Sequence, residues 1–126
     1  MDFKLAKMTK KKVFIFDDNI ELLELCCLIL EGAGFEVKTT STSDGAALQV
    51  LDYMPDVIFM DNWLPSVSGI DATRAIKANE EIRHIPVIYF SANNNVNELA
   101  REAGADDFLA KPFDINDLEK IVRKYT

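Results

Sequence analysis

The chain has 126 residues, 48% of them apolar and 28% charged, which fits one globular domain with its own core and leaves no length for a second. A formal charge of −7 argues against nucleic acid as the direct partner, because a phosphate backbone calls for a basic surface. No apolar run reaches membrane-spanning length, the first residues lack the apolar core of a signal peptide, and the two cysteines, Cys26 and Cys27, are sequence neighbours suited neither to a disulfide nor to a zinc site, so a reducing, cytoplasmic setting without membrane insertion is expected.

Lys4, Lys7, Lys10, Lys11 and Lys12 against Asp2 make the start of the chain basic, and the remainder carries −11. Residues 1–11 show no period and are read as a flexible basic arm, with residues 12–126 as the domain. Val13-Phe14-Ile15-Phe16 is a short β-rich run that ends at Asp17-Asp18-Asn19. Asn19 suits a helix N-cap, and Leu22, Leu25, Cys26, Ile29, Leu30 and Ala33 recur at helical spacing as the expected core stripe, with Leu23 and Cys27 outside it. Gly32 and Gly34 end that helix.

Phe35 to Thr39 reads as a second strand, followed by a helix that Ser43 or Asp44 can begin. Val57-Ile58-Phe59-Met60, bounded by Pro55 and by Asp61, has the continuous apolar character of a strand buried on both faces. Ser68 with Asp71 resembles a capping pair for a helix from Gly69 to about Ala78. Pro86 to Phe90 forms a fourth strand that delivers Ser91, and Leu99 to Ala103 a helix closed by Gly104. Phe108-Leu109-Ala110 delivers Lys111-Pro112, and Asp114 caps a last helix with Ile115, Leu118, Ile121 and Val122 inward.

Five strand-then-helix units in alternation imply an α/β, doubly wound (βα)5 architecture: one parallel sheet, right-handed crossovers and helices on both faces. In such a sheet the strand ends deliver Asp17, Asp18, Asp61, Ser91 and Lys111 along one edge, where ligands of open α/β sheets bind. Three carboxylates gathered together need protons or a cation among them, and an all-oxygen donor set suits Mg²⁺, which keeps several waters and also takes a phosphate oxygen. Lys111 and the Ser91 hydroxyl add a positive charge and a donor for the same anion. The paired acids Asp17 and Asp18 can hold the metal, leaving Asp61 to attack phosphorus and form an acyl phosphate.

The segments Phe14 to Asn19, Asp61 to Gly69 with Leu64-Pro65, Tyr89-Phe90-Ser91-Ala92 and Ala103 to Phe113 together resemble the receiver domain of two-component response regulators, chemotaxis regulators included, over about residues 12–126. The resemblance implies a flavodoxin-like fold with strand order 2-1-3-4-5 and Asp61 as phosphoacceptor. It implies Asp17, Asp18, Asp61 and the backbone carbonyl of Trp63 as metal ligands, for Mg²⁺ or alternatively Mn²⁺. Ser91 and Lys111 would contact the phosphoryl group, with Lys111-Pro112 a cis peptide and Ser91 with Phe108 the switch pair. The implied donor is a histidine kinase or a histidine phosphotransfer protein, the output a downstream protein target, and the chemistry self-catalysed acceptance and autodephosphorylation, without turnover as an enzyme.

Three features depart from the family pattern. The stretch from Ser91 to Gly104 is short, with Asn93-Asn94-Asn95 where the fourth helix should begin, which affects the face of helix four, strand five and helix five that such domains use for output. Trp63 and Asn93 stand at the two positions that border the path of the hydrolytic water, and the Trp63 indole is expected to screen it. The sequence ends after the fifth helix, so a stand-alone regulator, a phosphorelay intermediate or a receiver taken from a longer chain are all compatible with it, the first modestly preferred. The alternatives are an aspartate-nucleophile phosphatase, which would resemble Asp-x-Asp at the first strand where this chain has adjacent acids, and an interaction module of the same fold that is never phosphorylated. A flavodoxin-like nucleotide binder is disfavoured, because Asp17 and Asp18 would repel phosphate.

Overall fold

In a computed structural model the described residues are 10–126, so most of the expected basic arm, residues 1–9, lies outside them. The elements follow in the order β1 Lys12–Phe16, α1 Ile20–Gly32, β2 Glu36–Thr40, α2 Ala46–Tyr53, β3 Val57–Asp61, α3 Gly69–Ala78, β4 Val87–Ser91, α4 Val96–Ala103, β5 Asp107–Ala110 and α5 Ile115–Tyr125. The strands form one sheet of order β2-β1-β3-β4-β5 with every pair parallel, the doubly wound arrangement expected from the alternation.

Alternation along the central strands divides the core. Phe14, Phe16, Ile58, Met60, Val87 and Tyr89 face one side, against Val50, Ile76 and Ala100 of α2, α3 and α4. Val13, Ile15, Val57, Phe59, Ile88 and Phe90 face the other, against Cys26 and Leu30 of α1 and Leu118 and Val122 of α5. Because β1, β3 and β4 bury both faces they read as unbroken apolar runs, whereas the marginal strand β2 reads Glu-Val-Lys-Thr-Thr and is only half-buried. On that margin Lys38 Nζ lies 5.4 Å from the ring centroids of both Phe14 and Tyr53, and the Tyr53 hydroxyl donates to Glu36 at 2.7 Å.

Helix starts follow local chemistry where a side chain can cap. Asn19 accepts from the N–H of Leu22, Ser68 from that of Asp71, and Asp114 with Asp117 forms a reciprocal capping box. Four expectations are corrected. Leu25 is 49% exposed and Leu23 is buried in its place, because α1 is apolar on nearly all sides and its true inner stripe runs through Leu23, Cys26 and Leu30. Ile115 is 55% exposed, since the first residue of α5 precedes the turns that reach the sheet through Leu118 and Val122. Neither Ser43 nor Asp44 caps α2; Gly45 holds the N-cap with φ +57, and the Ser43 hydroxyl is engaged elsewhere. Helix α4 starts at Val96 instead of Leu99, without a side-chain cap, because burial of Val96 against the core fixes its first turn.

The opposite end of the sheet from the acidic strand ends is clamped by charge. Lys77 Nζ donates to Arg83 O at 3.1 Å, to Ile85 O at 2.9 Å and to Asp106 Oδ2 at 2.7 Å, and that carboxylate oxygen also accepts from the N–H of Val87 at 2.8 Å.

Candidate functional site

The parallel register carries the acids to one edge. Asp17 and Asp18 follow β1, Asp61 closes β3, Ser91 closes β4 and Lys111 follows β5, whose Ala110 pairs with Ser91. Asp17, Asp18 and Asp61 each bring a carboxylate oxygen within 4.8 Å of the other two. Asp17 and Asp61 are buried and Asp18 is exposed, so the cluster opens to solvent on the side of Asp18. Lys111 Nζ lies 2.6 Å from Asp17 Oδ2 and 3.0 Å from Asp61 Oδ1, and 4.5 Å from the centroid of the Phe90 ring. The other oxygen of Asp17 accepts the N–H of Asn19 at 2.9 Å, tying the acid to the start of α1.

Burial raises the Asp61 carboxyl above its ordinary value, and the neighbouring charges of Asp17 and Asp18 add to this, against the lowering effect of Lys111. For Lys111, burial alone would favour the neutral amine, but hydrogen bonds and charge from Asp17 and Asp61 outweigh it and raise its value. The lysine is therefore an ammonium wedged between two acids. Two of three carboxylates already share one cation, and the third is in water. Hard oxygen donors this close, with an open side for water ligands, fit Mg²⁺, whereas the Cys26 thiol, pushed up to about 12 by burial and by Asp17, is no competing ligand.

Ser91 is 1% exposed, and its hydroxyl accepts the backbone N–H of Asn93 at 3.2 Å, so the Ser91 side chain and the Asn93 main chain close one local turn. The Lys111–Pro112 peptide is cis. Trp63 is 71% exposed, beside the acids in sequence but projecting into solvent. Phe108 pairs with Tyr89 in the sheet and is 38% exposed, outside the buried core.

Three contacts in the segment after Asp61 were not legible in the sequence. The fully buried phenol of Tyr89 donates to the side-chain oxygen of Asn62. The hydroxyl of Ser43 contacts the carbonyl oxygens of Pro65, at 3.2 Å, and of Val67. Gly69 donates its N–H to Asn62 O at 3.1 Å and packs directly on the Asp61 backbone. The first two join residues more than twenty positions apart, so no local spacing announces them; for the third, a glycine at the first position of a helix was the one available signal.

Comparison with known proteins agrees with this geometry. The model of the response regulator receiver domain matches residues 13–123. The phosphate regulon transcriptional regulatory protein PhoB of Pseudomonas aeruginosa is 35% identical over 88% of this chain, and the DNA-binding response regulator MtrA of Mycobacterium tuberculosis 29% identical over 90%. The chain spans about half the length of these curated relatives, 49% and 50% respectively. Among solved structures, the receiver domain of the sensor histidine kinase PA1611 from Pseudomonas aeruginosa, with a magnesium ion coordinated in its active site cleft, superposes with a TM-score of 0.85 at 29% identity, covering 93% of this chain and 98% of that one. The signal receiver domain of a signal transduction histidine kinase from Syntrophus aciditrophicus gives 0.83 at 26% identity, covering 91% and 89%.

Proposed function

The chain belongs to the response regulator receiver family of two-component systems, and from that premise we propose that Asp61 accepts a phosphoryl group from a phosphohistidine donor. The observation that carries this reading is the Lys111 ammonium between Asp17 and Asp61, at 2.6 and 3.0 Å, on the edge where all five named residues converge. A carboxylate oxygen of Asp61 forms the new P–O bond while the P–N bond of the phosphohistidine breaks; its electron pair returns to the imidazole, which takes up a proton. The product is an acyl phosphate. Lys111 supplies positive charge to the phosphoryl oxygens, and the Ser91 hydroxyl, whose oxygen accepts the Asn93 N–H, donates its own hydrogen to one of them. Asp17, Asp18, Asp61 and the Trp63 carbonyl would hold Mg²⁺, and Mn²⁺ suits the same oxygens. When bound, the ion supplies neutralisation of charge on the transferring group.

Receiver domains of this family take phosphoryl groups from histidine kinases, and the specific donor here is a histidine kinase or a histidine phosphotransfer protein. Phosphorylation draws Ser91 toward the phosphoryl group and Phe108 inward, changing the face of α4, β5 and α5 for a downstream protein target. Direct nucleic-acid contact is not part of this reading: the chain is acidic, and the DNA binding named for MtrA belongs to a protein of which half lies outside the match. Residues 12–126 act as the receiver and residues 1–11 as an arm. The only catalysis is self-directed, acceptance followed by autodephosphorylation, with Trp63 and Asn93 tuning the second step. The setting proposed is cytoplasmic; among the described residues no helix is long and apolar enough to cross a membrane.

The test is incubation with a small acyl phosphate donor and Mg²⁺, read by intact mass and by lability to hydroxylamine. Wild type gains one phosphoryl group and Asp61→Ala gains none while keeping its circular dichroism spectrum. Labelling that survives Asp61→Ala overturns the assignment. Continuous release of phosphate from an ester substrate supports the phosphatase alternative.

A further inference from the structure

The segment from Asn62 to Ser68 is held from two other elements by buried hydroxyl groups. From β4, Tyr89, fully buried in the middle of the sheet, donates its phenol hydrogen to the side-chain oxygen of Asn62, itself 7% exposed. From the loop between β2 and α2, the hydroxyl of Ser43, 1% exposed, donates to the carbonyl oxygen of Val67, faces that of Pro65 at 3.2 Å and accepts the N–H of Val67 at 3.3 Å. Between the two anchors lie Trp63 and Leu64, and Ser66 takes a left-handed backbone with φ +70. A serine in that region is held there by its surroundings, because its own preference is against it.

Such double anchoring has a chemical use. Backbone left free in a loop gives up conformational freedom when a ligand fixes it, and that loss weakens binding. Mg²⁺ also demands near-ideal octahedral placement of its oxygens, so a carbonyl already held in place binds it better than one that must be recruited. Neither hydroxyl contacts an acid of the cluster; each acts only through the segment that follows Asp61.

We propose that Ser43 and Tyr89 are positioning residues that pre-set the Asn62–Val67 backbone so that the Trp63 carbonyl meets the divalent cation held by Asp17, Asp18 and Asp61. This rests on the functional reading above. Tyr89 is set by a rigid central strand, in register with Met60 and Phe108, and Ser43 by burial beneath the segment it holds, so the two anchors are independent of each other.

The experiment is titration of Mg²⁺ into the metal-free full chain, followed by the emission of Trp63, the sole tryptophan, and by isothermal calorimetry. Tyr89→Phe and Ser43→Ala each delete one oxygen and keep the surrounding volume. Each is expected to weaken Mg²⁺ binding about tenfold, the usual scale for partners that orient metal ligands. Val122→Ala, on the opposite face of the sheet, serves as a variant that lowers stability without touching the segment, and should bind Mg²⁺ as wild type does. Wild-type affinity in both hydroxyl variants, or equal weakening in Val122→Ala, overturns the proposal. A wild-type chain that does not bind Mg²⁺ overturns the functional reading itself, and this proposal with it.

Discussion

A β-carbon placed on Gly69 would stand 2.0 Å from the main-chain oxygen of Asp61 and 3.0 Å from the α-carbon of Asn62. The first residue of α3 therefore packs on the backbone of the strand that ends at Asp61, closer than any side chain permits, and the helix is brought directly against the acid cluster. Gly69→Ala must push α3 or the Asp61 peptide aside, because the obstacle is backbone and cannot rotate away. The expected cost is about 3 kcal/mol, the upper part of the range for overpacking an interior, measured as a lower denaturation midpoint in urea. Phosphoryl acceptance should fall as well, since whatever moves carries Asp61 or its neighbour.

Lys111 sits against oxygen atoms of both Asp17 and Asp61, two of the three acids placed to hold a divalent ion. Lys111→Met leaves the three carboxylates without their cation, so Mg²⁺ binding is expected to tighten, roughly three- to tenfold, through removal of a competing charge within a few ångströms. Phosphoryl acceptance should nonetheless drop, because the ammonium no longer neutralises the incoming group. Calorimetric Mg²⁺ titration and phosphorylation by a small donor separate the two effects, and weaker Mg²⁺ binding in the variant contradicts this account.

The raised value of the Asp61 carboxyl has a consequence for stability. Its folded-state pKa lies above the unfolded value of about 3.9, so over the interval between them the native state keeps a proton that the unfolded chain has lost. Stability of the metal-free protein should therefore fall as pH rises through that interval and level off above it, for this group's part. Asp61→Asn imitates the protonated form and should raise the thermal midpoint of the metal-free protein at neutral pH. The difference should vanish below the carboxylate range, and Mg²⁺ should narrow it by stabilising wild type. Equal midpoints at neutral pH without metal contradict the assignment.

Trp63 is 71% exposed, so its removal costs the fold little, within about 0.5 kcal/mol for an isolated surface change. If the indole screens the path of the hydrolytic water, Trp63→Ala should shorten the life of the acyl phosphate by roughly threefold, a barrier change under 1 kcal/mol. The measurement is the decay of phosphorylated protein after removal of the donor, and an unchanged decay rate removes Trp63 from the account.

What the sequence made legible depends on how local the determining interaction is. The strands β1, β3 and β4 announce themselves because burial on both faces leaves continuous apolar runs, and Asn19, Ser68 and Asp114 cap helices through bonds to residues three positions on. The phase of α1 was hidden because Leu22, Leu23, Leu25, Leu28 and Leu30 crowd its circumference, so Leu23 and Leu25 could exchange inner and outer places without disturbing the pattern. The start of α4 was hidden for a related reason: Asn95 makes no side-chain cap bond, and the burial of Val96 decides. At the site, the acids and the lysine could be gathered from strand ends alone. Ser43 was legible only as a polar residue before a helix, because its partners Pro65 and Val67 come together with it only in the folded chain.

Among the described residues, β2 at the margin of the sheet has a neighbouring strand on one side only, the kind of edge on which another chain can extend a sheet. Lys38 sits at its middle, its ammonium over the rings of Phe14 and Tyr53. A second copy adding its own β2 in the antiparallel register centred there would set two ammonium groups opposite each other. The side chain that covers two aromatic rings thereby also opposes edge-to-edge aggregation at this margin of the sheet.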